Sequence, residues 1–171
     1  YIRLASLCFC SLIVFSTLSA CKKTTMDSIT MPVEPSNQKT YLALGDSYTI
    51  GESVGTNERF PVQTRALLVD STLQIKTPQI IAQTGWTTAD LLLALQRENL
   101  PKNFDIVTLL IGVNNQYQGK SIDVYRNEFT SLLVKAIQFA RENKNHVFVL
   151  SIPDYSVTPF AANMDKAKIA R

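Results

Sequence analysis

The chain has 171 residues and a formal net charge of +3, with 46% hydrophobic and 18% charged residues. This composition excludes a disordered, collagen-like or disulfide-rich protein. The length suits one domain, since domains average roughly 150 residues. The sequence contains one histidine, His146, which is the only imidazole that a mechanism within these residues could use.

The amino-terminal segment has the pattern of an export signal. Residues 4–20 (LASLCFCSLIVFSTLSA) carry no charge, follow Arg3 and close on small residues. This pattern predicts a secretory signal peptide over residues 1–21, although the apolar run is near the lower length limit for a membrane-spanning helix and could also remain as an anchor. Leu18-Ser19-Ala20-Cys21 resembles the bacterial lipobox, which implies a lipid on Cys21. We therefore expect an exported lipoprotein of the bacterial cell envelope; otherwise Cys21 merely follows an ordinary signal peptide.

The next segment has the composition of a spacer. Residues 22–39 (KKTTMDSITMPVEPSNQK) are polar, contain two prolines and lack an apolar period, which predicts a flexible tether. Of the 17 basic residues only Arg3 lies in residues 1–21, so 16 basic and 14 acidic residues remain beyond them, a net charge of +2. So small a charge does not indicate a nucleic-acid partner. The predicted membrane contact is through the lipid anchor.

From residue 40 onward, short apolar runs alternate with helical patterns. Their β-branched and leucine-rich composition indicates buried strands separated by amphipathic helices. Strands are predicted at 41–44, 80–83, 104–111 and 147–152, and helices at 60–69, 87–95 and 121–143, with another helix starting within 164–171. This alternation predicts an α/β domain over residues 40–171, with a parallel sheet covered by helices in a flavodoxin-like, three-layer arrangement.

Groups useful for acyl transfer follow three of the four predicted strands. Ser47 follows the first strand, Gly85 the second and Asn114 the third. In an open parallel sheet, ligands bind outside the carboxyl ends of the strands. Each residue type also has an ordinary role as a helix cap or turn residue. Their shared position at one sheet edge is what favours a binding or catalytic site.

The same segments carry a family resemblance. Gly45-Asp46-Ser47-Tyr48-Thr49-Ile50-Gly51-Glu52 resembles the first conserved block of the SGNH (GDSL-type) hydrolases. Gln83-Thr84-Gly85-Trp86-Thr87 is similar to their second block, and Gly112-Val113-Asn114-Asn115 is similar to their third. The family commonly has aspartate where this chain has Asn115. The resemblance extends from about residue 40 to residue 160 and implies the SGNH hydrolase fold.

The resemblance also implies a mechanism. Ser47 would be the nucleophile that attacks an ester carbonyl and forms an acyl-enzyme. The oxyanion hole would consist of the backbone N–H groups of Ser47 and Gly85 and the side chain of Asn114. No cofactor and no metal would be needed. The substrate would be a small-molecule, lipid or acylated-glycan ester, and the aromatic candidates to line its site are Phe60, Trp86, Tyr117 and Tyr155.

The general base implied by the resemblance is missing from these residues. The family takes it from a carboxy-terminal Asp-x-x-His block, and the sequence contains no such block. His146 is predicted to open the fourth strand, roughly 20 Å from the catalytic edge at about 3.3 Å per residue. Proton transfer needs a separation of about 2.6–3.2 Å. We therefore expect a carboxy-terminally truncated chain that hydrolyses esters poorly by itself.

Two other functions share this architecture. A non-catalytic surface lipoprotein could keep an SGNH-like pocket for ligand binding without hydrolysis. A flavodoxin-like nucleotide-binding protein is disfavoured, because the spacing of Gly45 and Gly51 does not form a glycine-rich phosphate loop after the first strand.

Overall fold

The computed structural model describes residues 37–69 and 72–169. The predicted signal peptide, Cys21 and the predicted tether up to residue 36 lie outside the described residues. The strands are β1 (Tyr41–Gly45), β2 (Gln79–Ala82), β3 (Ile106–Leu110) and β4 (Val147–Val149). The helices are α1 (Ser47–Ile50), α2 (Phe60–Leu68), α3 (Thr88–Arg97), α4 (Val113–Tyr117), α5 (Ile122–Phe139) and α6 (Lys166–Ile169).

The four strands form one parallel sheet in the order β2-β1-β3-β4. The register places Gly45 opposite Ala82 on one side and opposite Leu110 on the other, so β1, β2 and β3 end at the same level. The predicted α/β fold with a parallel sheet is therefore confirmed. The strand order changes direction between β1 and β3, and such a switch point opens a crevice at the carboxyl ends of those two strands.

Side chains alternate between the two faces of the sheet, and each face has its own core. On one face, Leu42, Leu44 and Leu109 are fully buried against α3 and α5. On the other face, Tyr41 and Ala43 pack against Ile75. Burying a leucine fully contributes roughly 1.5–3 kcal/mol. The central strands are therefore the best anchored support for groups at their carboxyl ends.

Lys39, the last residue of the predicted tether, already belongs to the folded region. It forms an isolated parallel bridge with Ile75, with its N–H donating to the carbonyl of Gln74 at 2.8 Å. Its ammonium also lies 3.7 Å from the carboxylate of Asp105, at the entrance to β3.

Some boundaries differ from the sequence prediction. The long helix was expected to reach residue 143, but α5 ends at Phe139 because Arg141 and Glu142 adopt positive φ angles of 60° and 57°. The fourth strand is shorter than predicted and ends at Val149, ahead of Pro153, which has no N–H to donate to a ladder. No helix within the two described ranges has the length and apolarity needed to cross a bilayer.

Candidate active site

Ser47 stands at the junction between β1 and α1. The junction is tight, because a Cβ atom on Gly45 would lie 2.1 Å from the Thr49 hydroxyl and 2.4 Å from the Leu110 carbonyl. Only glycine fits there, so the chain can turn directly from the strand into the helix. Ser47 is the first residue of α1 and is half-buried. Its backbone N–H has no acceptor within the helix, as is general for first-turn positions.

The side chain of Asp46 connects this junction to the residue that follows β3. Its buried carboxylate accepts the N–H of Tyr48 at 3.1 Å and also the N–H of Gly112, which follows β3. Burial raises the pKa of this carboxyl from 3.8 to about 6, although the N–H groups of Tyr48, Gly112 and Asp46 itself favour its charged form. Asp46 therefore joins the ends of β1 and β3 through one side chain.

Gly85 lies in the turn after β2. Its φ angle is +85°, and a Cβ atom placed on it would meet nothing within 4 Å. The turn is closed by the N–H of Trp86, which donates to the Gln83 carbonyl at 3.2 Å. Gly85 is thus exposed, with open space beside its backbone. Next to it, the hydroxyl of Thr84 donates to the carboxylate of Glu52, which connects this turn to the segment after α1.

Asn114 lies in α4, directly beyond β3. Its side chain is 9% exposed, and its Nδ2 atom donates to the Trp86 carbonyl at 2.9 Å. An amide nitrogen carries two hydrogens, so one N–H remains for another acceptor. Three bridges therefore close a ring around the switch point: Asp46 to Gly112, Asn114 to Trp86, and Thr84 to Glu52. The structure places Ser47, Gly85 and Asn114 on the three segments that this ring connects.

Comparison with protein families identifies the chain. A sequence profile of the GDSL-like lipase/acylhydrolase family matches residues 43–171, which include all three segments. The chain belongs to this family. The resemblance inferred from the sequence blocks is therefore confirmed. No curated protein sequence matches this chain significantly.

Solved structures with the same fold include several esterases and lipases. AlinE4, described as an SGNH-hydrolase family esterase, is 21% identical with a TM-score of 0.55, and the match covers 67% of this chain and 59% of AlinE4. TesA is 21% identical with a TM-score of 0.56, covering 78% of this chain and 69% of TesA. The lipase Lip_vut3 from a goat rumen metagenome is 19% identical with a TM-score of 0.55, covering 78% and 71%. This chain thus spans about three fifths of the length of AlinE4, and these likenesses concern the fold.

The histidine of this GDSL-like chain lies away from these segments. His146 ends a 3-10 turn (Lys144–His146) at the amino end of β4, whereas Ser47 follows the carboxyl end of β1. In a parallel sheet the amino ends of all strands lie on one side and the carboxyl ends on the other, so His146 and Ser47 are at opposite ends of the strands. β4 begins at Val147, where the sequence predicted the fourth strand to start, so His146 lies directly before it. Among the described residues, no cluster of three or more His, Cys, Asp or Glu side chains could hold a metal ion.

Asn115, which stands where the family commonly has aspartate, makes contacts that the sequence did not reveal. It is 3% exposed; its Oδ1 atom accepts the Thr88 N–H at 3.0 Å, and its Nδ2 atom donates to the Thr88 hydroxyl at 2.6 Å. The Thr88 hydroxyl in turn donates to the carboxylate of Glu128 in α5. These partners are 27 and 40 residues apart in sequence, so a local motif could not indicate them.

A cavity of about 470 Å³ opens beside these segments. It lies between the residues that follow β3 and β4 and the start of α5, and its walls mix apolar side chains with the polar Gln116, Lys120 and Asp154. The residues that line it include Gly112, Asn115, Ile122, Tyr125, Ile152 and Tyr155. Of the aromatic candidates, Tyr155 lines this cavity and Tyr117 packs edge-on against Tyr155, with ring centroids 4.8 Å apart. Trp86 belongs to the Gly85 turn instead.

Proposed function

We propose that the whole protein is a serine ester hydrolase with Ser47 as its nucleophile. The observation that carries the proposal is the position of Ser47: it follows β1 at the switch point of the sheet, within the family match, on a segment bridged to those of Gly85 and Asn114 through Glu52 and Asp46. The three solved structures named above, with the same fold, include an esterase and a lipase. That similarity supports carboxylic esters as the substrate class.

The proposed chemistry follows from the positions of the donors. The Ser47 hydroxyl oxygen attacks the ester carbonyl, its proton passes to a general base, and the carbonyl oxygen becomes an oxyanion. The backbone N–H groups of Ser47 and Gly85 and the free N–H of Asn114 would stabilise that charge, as preorganised donors do. The alcohol leaves with the proton, and water then hydrolyses the acyl-enzyme and regenerates the Ser47 hydroxyl. No step of this scheme requires a cofactor.

The base of this scheme is not His146. We propose that the 171 residues alone hydrolyse esters poorly, because the only histidine of the sequence lies at the opposite edge of the sheet from Ser47. Hydrolysis of a p-nitrophenyl ester by the purified 171-residue chain, abolished by Ser47→Ala, would contradict this proposal.

Labelling with a fluorophosphonate tests the nucleophile directly. The protein expressed from the complete reading frame should be labelled, and its Ser47→Ala variant should not. His146→Ala is the matched control, and we expect it to be labelled as fast as the wild type. Equal labelling of the wild type and Ser47→Ala would remove Ser47 from the mechanism. A wild type that binds an ester analogue without being labelled would favour the alternative, a ligand-binding surface protein that keeps the pocket without hydrolysis.

The location of the protein is a separate proposal. The apolar run of residues 4–20 and the Leu-Ser-Ala-Cys motif support export and lipid attachment at Cys21, which would anchor the enzyme to the cell envelope. Mass spectrometry of the membrane fraction should find an acylated amino-terminal peptide beginning at Cys21. Cys21→Ser should lose the acylation, and an unmodified Cys21 in the wild type would contradict the proposal.

A further inference from the structure

Two successive asparagines at the start of α4 hold the turn that contains Gly85. Asn114 donates to the Trp86 carbonyl at 2.9 Å, and Asn115 binds Thr88 through both ends of its amide, at 3.0 Å and 2.6 Å. Asn115 is 3% exposed and Thr88 is fully buried, so water does not compete for these bonds. The segment that follows Gly85 is thereby fixed to α4 at two points, two residues apart.

The Thr88 hydroxyl determines which group position 115 must present. A hydroxyl has one hydrogen to donate and two lone pairs to accept with. Its hydrogen goes to the carboxylate of Glu128, which cannot donate when ionised. The Thr88 oxygen can therefore only accept from residue 115. An amide satisfies this requirement because its nitrogen donates, whereas a carboxylate at position 115 would compete with Glu128 for a single hydrogen.

The contact is not needed merely to cap α3. That helix already has a capping box: the Thr87 hydroxyl accepts the N–H of Asp90, and the Asp90 carboxylate accepts the N–H of Thr87 at 2.9 Å. Asn115 adds a connection from α4 to the same turn. Because Asn114 is the neighbour of Asn115, and Gly85 precedes Thr88 by three residues, this connection restrains the distance between the two proposed oxyanion donors.

We propose that Asn115 is a positioning residue for the oxyanion hole, and that Glu128 is the group that makes an amide at position 115 necessary. The proposal rests on the proposed function, since it assigns Asn115 to the donors of that mechanism. In this proposal, asparagine at 115 and glutamate at 128 form a matched pair around the Thr88 hydroxyl.

A double-mutant cycle tests the matched pair. Asn115→Asp should displace the Gly85 backbone and Asn114 side-chain amide signals in ¹H–¹⁵N spectra, and should shift the emission of Trp86, the only tryptophan. In Asn115→Asp/Glu128→Gln, the Thr88 hydroxyl can donate to the new carboxylate at position 115 and accept from the new amide at position 128. The signals should then return toward their wild-type positions. Unchanged signals in the single variant, or a double variant no closer to the wild type, would overturn the proposal.

Labelling of Ser47 by a fluorophosphonate, in the protein from the complete reading frame, provides the functional readout. Asn115→Asp should be labelled about 10- to 100-fold more slowly, as expected for misplaced donors, and the double variant should recover most of that loss. Asp90→Ala is the control: it removes the capping box and lowers stability, but should leave the labelling rate within about threefold of the wild type. Displaced signals with an unchanged labelling rate would refute the positioning role. A wild type that is not labelled refutes the proposed function instead, while the spectra still decide on the matched pair.

Discussion

At the scale of single residues, Gly85 is required for its backbone conformation and for the open space beside it. Its φ angle of +85° favours glycine, and alanine there should cost about 1 kcal/mol of stability. In the proposed mechanism, a methyl group would also occupy the space from which the substrate approaches the Gly85 N–H. We therefore expect Gly85→Ala to slow fluorophosphonate labelling of Ser47 about tenfold or more, by the sensitivity of reacting geometry to small displacements.

Gly119 offers a matched control for this substitution. Its φ angle is +64°, it is exposed, and its added Cβ would likewise meet nothing within 4 Å, but it lies in the turn after α4. Gly119→Ala should lose a similar free energy of unfolding in urea denaturation while the labelling rate stays that of the wild type. A loss of labelling in both variants would mean that backbone strain, and not the space beside Gly85, determines reactivity.

The raised pKa of Asp46 predicts that the stability of the protein depends on pH. The pKa of about 6 in the folded protein exceeds the ordinary 3.8, so between these values the folded state holds a proton that the unfolded chain has released. The stabilisation from this proton is complete below about pH 4 and is lost as the pH rises through about 6, a change of about 3 kcal/mol. Asp46→Asn, which cannot titrate, should therefore gain stability relative to the wild type as the pH rises.

Urea denaturation of both proteins between about pH 4 and pH 7 measures this difference. Subtracting the unfolding free energy of the wild type from that of Asp46→Asn cancels the contribution of the other carboxylates, which the two proteins share. Asp123→Asn, at an exposed position on α5, shows the effect of removing a carboxylate elsewhere. If the stabilities of Asp46→Asn and the wild type run parallel across this pH range, the buried carboxyl does not hold the extra proton.

At the scale of elements, Asp105 joins the entrances of β1 and β3. Its carboxylate accepts the Thr40 N–H at 2.9 Å and the Thr40 hydroxyl at 3.0 Å, and it lies 3.2 Å from the Arg141 guanidinium. Asp105→Ala should cost about 2 kcal/mol, as expected for hydrogen bonds to a charged acceptor. Asp105→Asn keeps an acceptor for Thr40 and should cost less than about 1 kcal/mol, because ion pairs with half-exposed partners contribute little. Equal losses in urea denaturation would show that the charge matters more than the hydrogen bonds.

The strands and long helices could be predicted because their signals are local. The apolar run around Leu42 and Leu44 indicated β1, and the capping chemistry of Thr87 indicated the start of α3. The end of α5 could not be predicted, since neither Arg141 nor Glu142 is a usual left-handed residue and no glycine marks the stop. The short helices α1 and α4 were missed because four or five residues carry too little periodicity.

The candidate site could be predicted only in part, because only its local signals are visible in the sequence. Ser47, Gly85 and Asn114 could be placed at one sheet edge, because strand ends and block motifs are visible in the sequence. The contacts that hold these segments together were not visible. Asn115 and Glu128 meet across Thr88 only after α4 and α5 have packed beside α3, so their pairing is a property of tertiary structure.

At the scale of the whole molecule, the site rests on the most deeply buried part of the sheet. β1 and β3 lie at its centre, and every residue of β1 is buried. β4 is an edge strand in the described residues, with Phe148 54% and Val149 50% exposed. Stability should therefore fall from the centre toward β4, so that local opening at the edge leaves the Ser47 junction intact.

Leu109 and Val149 test this gradient, because they are register partners on neighbouring strands. Leu109 is fully buried between the sheet and its helices, so Leu109→Ala should cost about 2–5 kcal/mol of unfolding free energy. Val149 is half-exposed, and Val149→Ala should cost less than about 1 kcal/mol. Urea denaturation measures both losses, and hydrogen exchange should show stronger protection of the β3 amides than of those in β4. Comparable losses for the two variants would mean that β4 is packed as firmly as the centre, and that the support for the site extends across the whole sheet.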